Sequence, residues 1–206
     1  MTLYDYLFST YGCNEPIALS EISFQRYSRP WIQKEITKLC EAGKLVRFEK
    51  GIYYIPTETL LGKSKLDAKK VITKKYVNDG KDIIGYYSGV SFMNQIGLST
   101  QVPNTLEIYT NNEPSRAREV PIGGQKVLLR RSRATVTREN ADTMCFLELM
   151  NFTDASFYDD EKKQQVIDYI SQKNITRTDI SKCAPFFPDK AMRTLVESEI
   201  IYHVAQ

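Results

Sequence analysis

The segment from Ile17 to Pro56 constrains the fold more than any other part of the chain. At about 100° per residue, Ile32, Ile36, Leu39 and Cys40 fall within one arc of a helix, the i, i+4, i+7, i+8 spacing of a face packed on a core. Lys34, Lys38, Trp31 and Glu41 point the other way, with Thr37 and Glu35 on the flanks. Ser28 stands where an N-cap hydroxyl accepts from an orphan backbone N–H, and Pro30 lies in the first turn, where no donor is needed. Gly43 supplies the left-handed residue that ends a helix. These signals predict a helix from Pro30 to Ala42. A shorter helix, Ser20 to Phe24, is expected before it. After it, the β-prone runs Leu45 to Phe48 and Ile52 to Ile55 are joined by Glu49, Lys50 and Gly51 as a hairpin. Met1 to Thr10 reads as a further helix, with Leu3, Tyr6 and Leu7 buried and Gly12 ending it.

Two helices followed by a tight ribbon is the layout of a winged helix-turn-helix, whose second helix lies in the DNA major groove. Between Phe24 and Lys50 there are seven Lys or Arg against three acids. Duplex DNA is therefore the expected partner. The contacting residues would be Ser28, Arg29, Trp31, Lys34, Thr37 and Lys38 on the helix, with Arg47 and Lys50 on the wing. Trp31 has two readings, packing against the wing or meeting a sugar or base methyl. The charges alone also fit a solvated basic surface on an ordinary helical hairpin.

The fold expected for the whole chain is α+β. A winged helix-turn-helix at residues 1–60 precedes a mixed α/β domain at 61–206, with a small antiparallel sheet and C-terminal helices. Thr57 to Lys75 reads as a linker running into a helix from Leu66. Ser88 is placed to cap a helix from Gly89 to Ile96, which Gly97 ends. Thr105 to Thr110 alternates like a half-buried strand. Gly123-Gly124 between two apolar runs marks a hairpin, and Pro121 assigns its strand to an edge or bulge. Helices follow at Ala141–Asn151, Asp159–Gln172 and Lys190–Ile200, the last with Asp189 as its cap.

Several classes of chemistry find no basis in the residues. The chain has one histidine, His203, near its end, so a histidine-rich metal site has no ligands and a Ser-His-Asp triad would have to recruit the tail. Its four cysteines are scattered with no C-x-x-C pair, which argues against zinc or a disulfide framework. The glycines of Gly85 to Gly97 match no phosphate-binding motif. A nuclease would need acids and a lysine converging on strands, but Glu107 is the only well-placed strand acid and Tyr109 stands where the lysine belongs. The expectation is a protein that is not an enzyme, with no catalytic residues, metal or cofactor. No apolar run of membrane-spanning length is present, and the acidic N-terminal segment lacks a basic leader, so the cytosol is the expected compartment.

Charge is segregated along the chain. Residues 1–75 carry a net +5, 76–115 carry −3, 116–138 carry +6 and 139–206 carry −5. In the third block Arg116, Arg118, Lys126, Arg130, Arg131, Arg133 and Arg138 lie on or beside the Gly-Gly hairpin. They form a candidate second patch for phosphate or an acidic partner, or simply a solubilising face. If Val127 and Leu129 face the core, Lys126, Leu128 and Arg130 share the opposite side, so only some of these cations align.

Two stretches together resemble the AbiEi-type antitoxins of bacterial type IV toxin–antitoxin systems. One is Ile36-x-x-Leu39-x-x-x-Gly43-Lys44-Leu45-Val46-Arg47-x-x-x-Gly51-Ile52-Tyr53-Tyr54. The other is Tyr87-Ser88-Gly89-x-Ser91, continuing through Ile96-Gly97-Leu98-Ser99-Thr100-Gln101-Val102-Pro103 to Glu107-Ile108-Tyr109-Thr110-Asn111. The resemblance covers residues 17–140. It implies an antitoxin that binds its own promoter and represses transcription, with a C-terminal domain linked to neutralising a nucleotidyltransferase toxin. Such modules act as monomers or as homodimers on palindromic sites. Two alternatives remain at this point, a protein-interaction module built on a winged-helix scaffold and a nucleic-acid-processing enzyme.

Overall fold

Helix α1 (Leu3–Tyr11) starts at Thr2, whose hydroxyl accepts from the Asp5 N–H while the Asp5 carboxylate accepts from the Thr2 N–H. It opens a computed structural model that describes residues 1–25, 27–60, 62–115 and 117–205. Two compact units make up the chain, Met1–Ile72 and Thr73–Gln206. Helices and small sheets occur in both, and the fold is α+β.

In the first unit, β1 (Ile17–Ala18), α2 (Arg29–Glu41), β2 (Val46–Glu49) and β3 (Ile52–Tyr54) follow α1. The three strands form an antiparallel sheet in the order β1-β3-β2. Only a 3-10 turn, Leu19–Glu21, occupies the place where a helix from Ser20 to Phe24 was expected. The reason is that Ile17 and Ala18 pair with Tyr53 and Ile52, and Ile22 is again extended, so three residues are left in which to turn. The strand β1 itself carries too few residues to show a pattern in sequence.

The end of α2 follows from Gly43, which takes φ +68. Its N–H donates to the Cys40 carbonyl at 3.0 Å and the Lys44 N–H donates to the Leu39 carbonyl at 2.9 Å. That pair of bonds is the Schellman arrangement, which satisfies carbonyls otherwise orphaned at a helix end. Ile32 and Ile36 of α2 then join Leu3, Leu7, Ile17, Ile22, Phe24, Leu45 and Ile55 in one buried cluster, with Leu39 and Cys40 packed at its margin.

A short hairpin, β4 (Glu58–Thr59) and β5 (Gly62–Lys63), replaces the expected linker. The Thr57 N–H and the Asn14 side chain both bond the Ser64 hydroxyl, and the Lys63 ammonium donates to the Gly43 carbonyl at 2.6 Å. Lys70 also pairs with Glu15. These bonds bind residues 57–70 to the first unit, which is why the units part within α3 (Ala68–Tyr76) while the sequence suggests a division at residue 60.

The second unit contains β6 (Gly85–Ser88), α4 (Gly89–Gln95), β7 (Thr105–Thr110), β8 (Ala117–Ile122) and β9 (Gln125–Arg131). After them come α5 (Ala141–Phe152), α6 (Asp160–Gln172), α7 (Arg177–Cys183) and α8 (Asp189–Glu197). The sheet order is β6-β7-β9-β8. Two of its ladders are antiparallel, as expected, but β7 and β9 run parallel. Burial explains this. Val127 and Leu129 of β9 are fully covered, whereas β8 exposes Arg118, Glu119 and Pro121, so β9 takes the interior place and β8 the edge. A proline without an N–H is tolerated there.

Helix α5 is apolar nearly all round, and residues Thr143 to Met150 are buried without interruption. Such a helix belongs inside a domain, and α4, α7, α8 and β6 pack on it. Asp189, expected as a cap, is instead the first residue of α8, with Pro188 before it; a carboxylate in a first turn still complements the helix dipole. Helix α7 was not anticipated, although Thr176 and Asp179 form the reciprocal cap that starts it. Among the described residues no helix is long and apolar enough to cross a membrane.

Candidate nucleic-acid interface

Burial of Ile32 and Ile36, each 2% exposed, fixes which side of α2 meets solvent. Lys34, Thr37 and Lys38 lie on that exposed side. The Lys38 ammonium sits 2.5 Å from Glu35 Oε1, a surface pair one turn apart that is worth little and leaves the charge accessible. Thr37 Oγ1 donates to the Gln33 carbonyl at 3.0 Å. Lys50 is exposed in the turn between β2 and β3, next to Gly51 at φ +82. Arg47 is exposed on β2, where the ladder bulges, and its Nε donates to the Glu49 carbonyl.

Of the other three candidates, Arg29 and Trp31 make contacts within the unit. Arg29 donates from its two terminal nitrogens to the Leu19 and Ser20 carbonyls at 2.9 and 2.8 Å, fastening the 3-10 turn to the start of α2. Ser28 occupies the N-cap position in an extended conformation, but its hydroxyl makes no capping bond. Trp31 stacks on Tyr27 at 3.8 Å and lies parallel to Phe24 at 6.3 Å, and Phe24 in turn meets Tyr6. Its ring is thus packed in an aromatic stack at the start of α2. Lys44, 5.3 Å over the Tyr4 ring, and Lys63, on the Gly43 carbonyl, add cations near the C-terminal end of α2. Lys63 could not be found by spacing, since twenty residues separate it from its acceptor.

The second cluster of cations resolves differently. Arg116 lies outside the described residues. Arg118 bonds Glu113, which is 1% exposed, through Nη2 at 2.9 Å. Burial alone would raise the Glu113 carboxyl, but hydrogen bonds from Ser115 and Arg118 outweigh it and hold the group below its ordinary range. Arg130 pairs with Glu107. Arg133 forms a two-pronged bond to buried Glu148, Nε at 2.8 Å and Nη2 at 3.1 Å, and also lies 5.3 Å from the Phe187 ring centre and 5.9 Å from that of Tyr109. Tyr109 donates to the same carboxylate, and its phenol is pushed up to about 12 by burial and by the Glu148 charge. Lys126 and Arg131 are exposed on opposite faces of β9, as the alternation of a strand dictates. Three of these arginines therefore spend their charge on internal carboxylates.

Among the described residues no group of three or more His, Cys, Asp or Glu side chains is placed to hold a metal. The four cysteines are unpaired; Cys145 donates to the Tyr87 carbonyl, and burial pushes its thiol well up. His203 is exposed in the 3-10 turn Ile200–His203.

What these elements define is a two-unit α+β protein whose first unit presents a cationic helix beside a short β-ribbon. The chain belongs to a family of unknown function, DUF6088, matched over residues 21–178. No curated protein matches the sequence.

Proposed function

We propose that the first unit is a winged helix-turn-helix that binds duplex DNA, with α2 in the major groove and the β2–β3 ribbon as the wing. The observation that carries this reading is the outward placement of Lys34 and Lys38 on a helix whose opposite face is anchored in the core, with Lys50 at the tip of the adjoining hairpin. Ammonium groups so placed neutralise phosphates and release counterions, which supplies affinity, while Thr37 between them is short enough to approach a base edge. Arg29 serves by holding the turn that sets the angle of α2.

The biological role we infer is that of a cytosolic antitoxin and autorepressor of a type IV toxin–antitoxin operon, countering a nucleotidyltransferase toxin. The sequence resemblance to AbiEi-type antitoxins supports it. The test is binding of the full chain to duplex DNA spanning the region upstream of its own coding sequence, followed by fluorescence anisotropy. Lys34→Ala with Lys38→Ala should weaken binding about ten-fold or more with an unchanged circular dichroism spectrum. Equal affinity in the double variant would remove α2 as the reading helix. Growth rescue on co-expression with a nucleotidyltransferase encoded beside it tests the antitoxin role separately.

A further inference from the structure

Trp31, Lys34 and Lys38 recur at i, i+3 and i+7 along α2 and at about 100° per residue fall within about 60° of one another, outside the arc of buried Ile32 and Ile36. They form one stripe, cationic at one end and aromatic at the other. Tyr27 lies face to face with the Trp31 ring, centres 3.8 Å apart and planes 15° from parallel. It is also parallel to Phe24 at 5.7 Å, and Phe24 is buried and meets Tyr6 of α1. Each ring is thus braced by the next, from the core outward. Tyr27 ends the series with 46% of its surface exposed.

An exposed ring at the end of a cationic stripe sets a narrow chemical requirement. Lys34 and Lys38 are exposed and suit a polyanion. The ring gains by covering an apolar group, and because stacking already fixes its orientation, little side-chain freedom is left to lose on binding. In a base-paired duplex only the edges of the bases reach the major groove, and the apolar group displayed there is the methyl of thymine.

We propose that Tyr27, braced on Trp31, reads thymine by its methyl group in the major groove, and so sets a base preference beside the N-terminal end of α2. This rests on the reading of α2 as the DNA-contacting helix. It adds a residue that stands outside that helix, and the base it selects.

The experiment compares two forms of the duplex taken from upstream of the coding sequence, one with thymine and one with uracil throughout, by fluorescence anisotropy with the full chain. Uracil keeps the base pair and the charge and lacks only the methyl. Binding of the thymine form tests the parent reading by itself, and failure of both forms to bind removes that reading and this one with it. The uracil form should bind about four-fold more weakly for each methyl that is covered. Tyr27→Ala should bring the two forms to equal affinity, Tyr27→Phe should keep the difference, and Lys34→Ala should weaken both forms alike. Equal binding of the two forms by the natural protein overturns the proposal and leaves DNA binding by α2 standing. So does a folded Tyr27→Ala protein that still prefers thymine, or one that loses the same affinity for both forms, the mark of a sugar or phosphate contact. Should Tyr27→Ala not fold, iodouracil in place of thymine, irradiated in complex with the natural protein, decides the matter. A cross-link at Tyr27 is expected, and cross-links only at other residues, or none, overturn the assignment.

Discussion

Glu148 is bonded by three different residues: the Tyr109 hydroxyl, two nitrogens of Arg133 and the Asn151 amide all donate to it. At 4% exposure it has no recourse to solvent. Removing one partner of such a pair leaves the other stranded, so Glu148→Ala should lower the stability of the second unit by about 3 kcal/mol in urea unfolding. A loss no larger than that of a surface alanine would mean that Arg133 turns out to water. Glu113 makes a different, pH-dependent contribution. Its carboxyl is held below the ordinary 4.5 by Ser115 and Arg118 acting against burial. The stability it supplies is therefore fully present above the unfolded value and is lost as pH falls through the lower folded one. Stability measured from about pH 7 down to about pH 3 should fall less steeply in Glu113→Gln than in the natural protein.

Helix α2 and strand β6 show what an element asks of one residue. Gly43 is needed because the helix ends in a left-handed turn, a demand legible in the sequence as a glycine just past an amphipathic run. Gly85 is needed for another reason, which no local pattern reveals. A β-carbon there would lie 2.1 Å from the Tyr76 carbonyl oxygen and 2.5 Å from that of Tyr109, both rigid backbone. Gly85→Ala should cost about 3 kcal/mol or more, seen as a lowered urea midpoint with an unchanged slope. Tolerance of the alanine would show that β6 and the end of α3 shift apart at little cost.

Across the whole molecule, the basic block at 116–138 is partly neutralised by acids of its neighbours. The block at 116–138, with its net +6, sends Arg118 to Glu113, Arg130 to Glu107 and Arg133 to Glu148, acids of the blocks on either side. The first 75 residues carry a net +5, and Lys34, Lys38 and Lys50 among them are exposed. DNA affinity is accordingly expected to follow the first unit: its logarithm should fall linearly with that of salt concentration, and Lys34→Ala with Lys38→Ala should flatten the slope by about two. A slope unchanged in that variant but flattened by Arg131→Ala and Lys126→Ala would move the interface to the second unit.

The sequence by itself determined the features that depend on neighbours within a turn or a hairpin. These include the apolar face of α2, its stop at Gly43, the ribbon closed by Gly51, the Gly123–Gly124 turn and the outward lysines, because 3.6-residue and two-residue periods and positive-φ glycines act over a few residues. Tertiary structure alone decided what depends on distant surfaces meeting. Strand β1 exists only because β3 lies beside it, and β9 sits between β7 and β8 because its apolar side chains bury best there. The hairpin arginines became ion pairs only when acids 5, 15 and 23 residues away were folded against them. Which of the hairpin arginines face water and which face acids is a property of packing, and spacing along the chain carries no record of it.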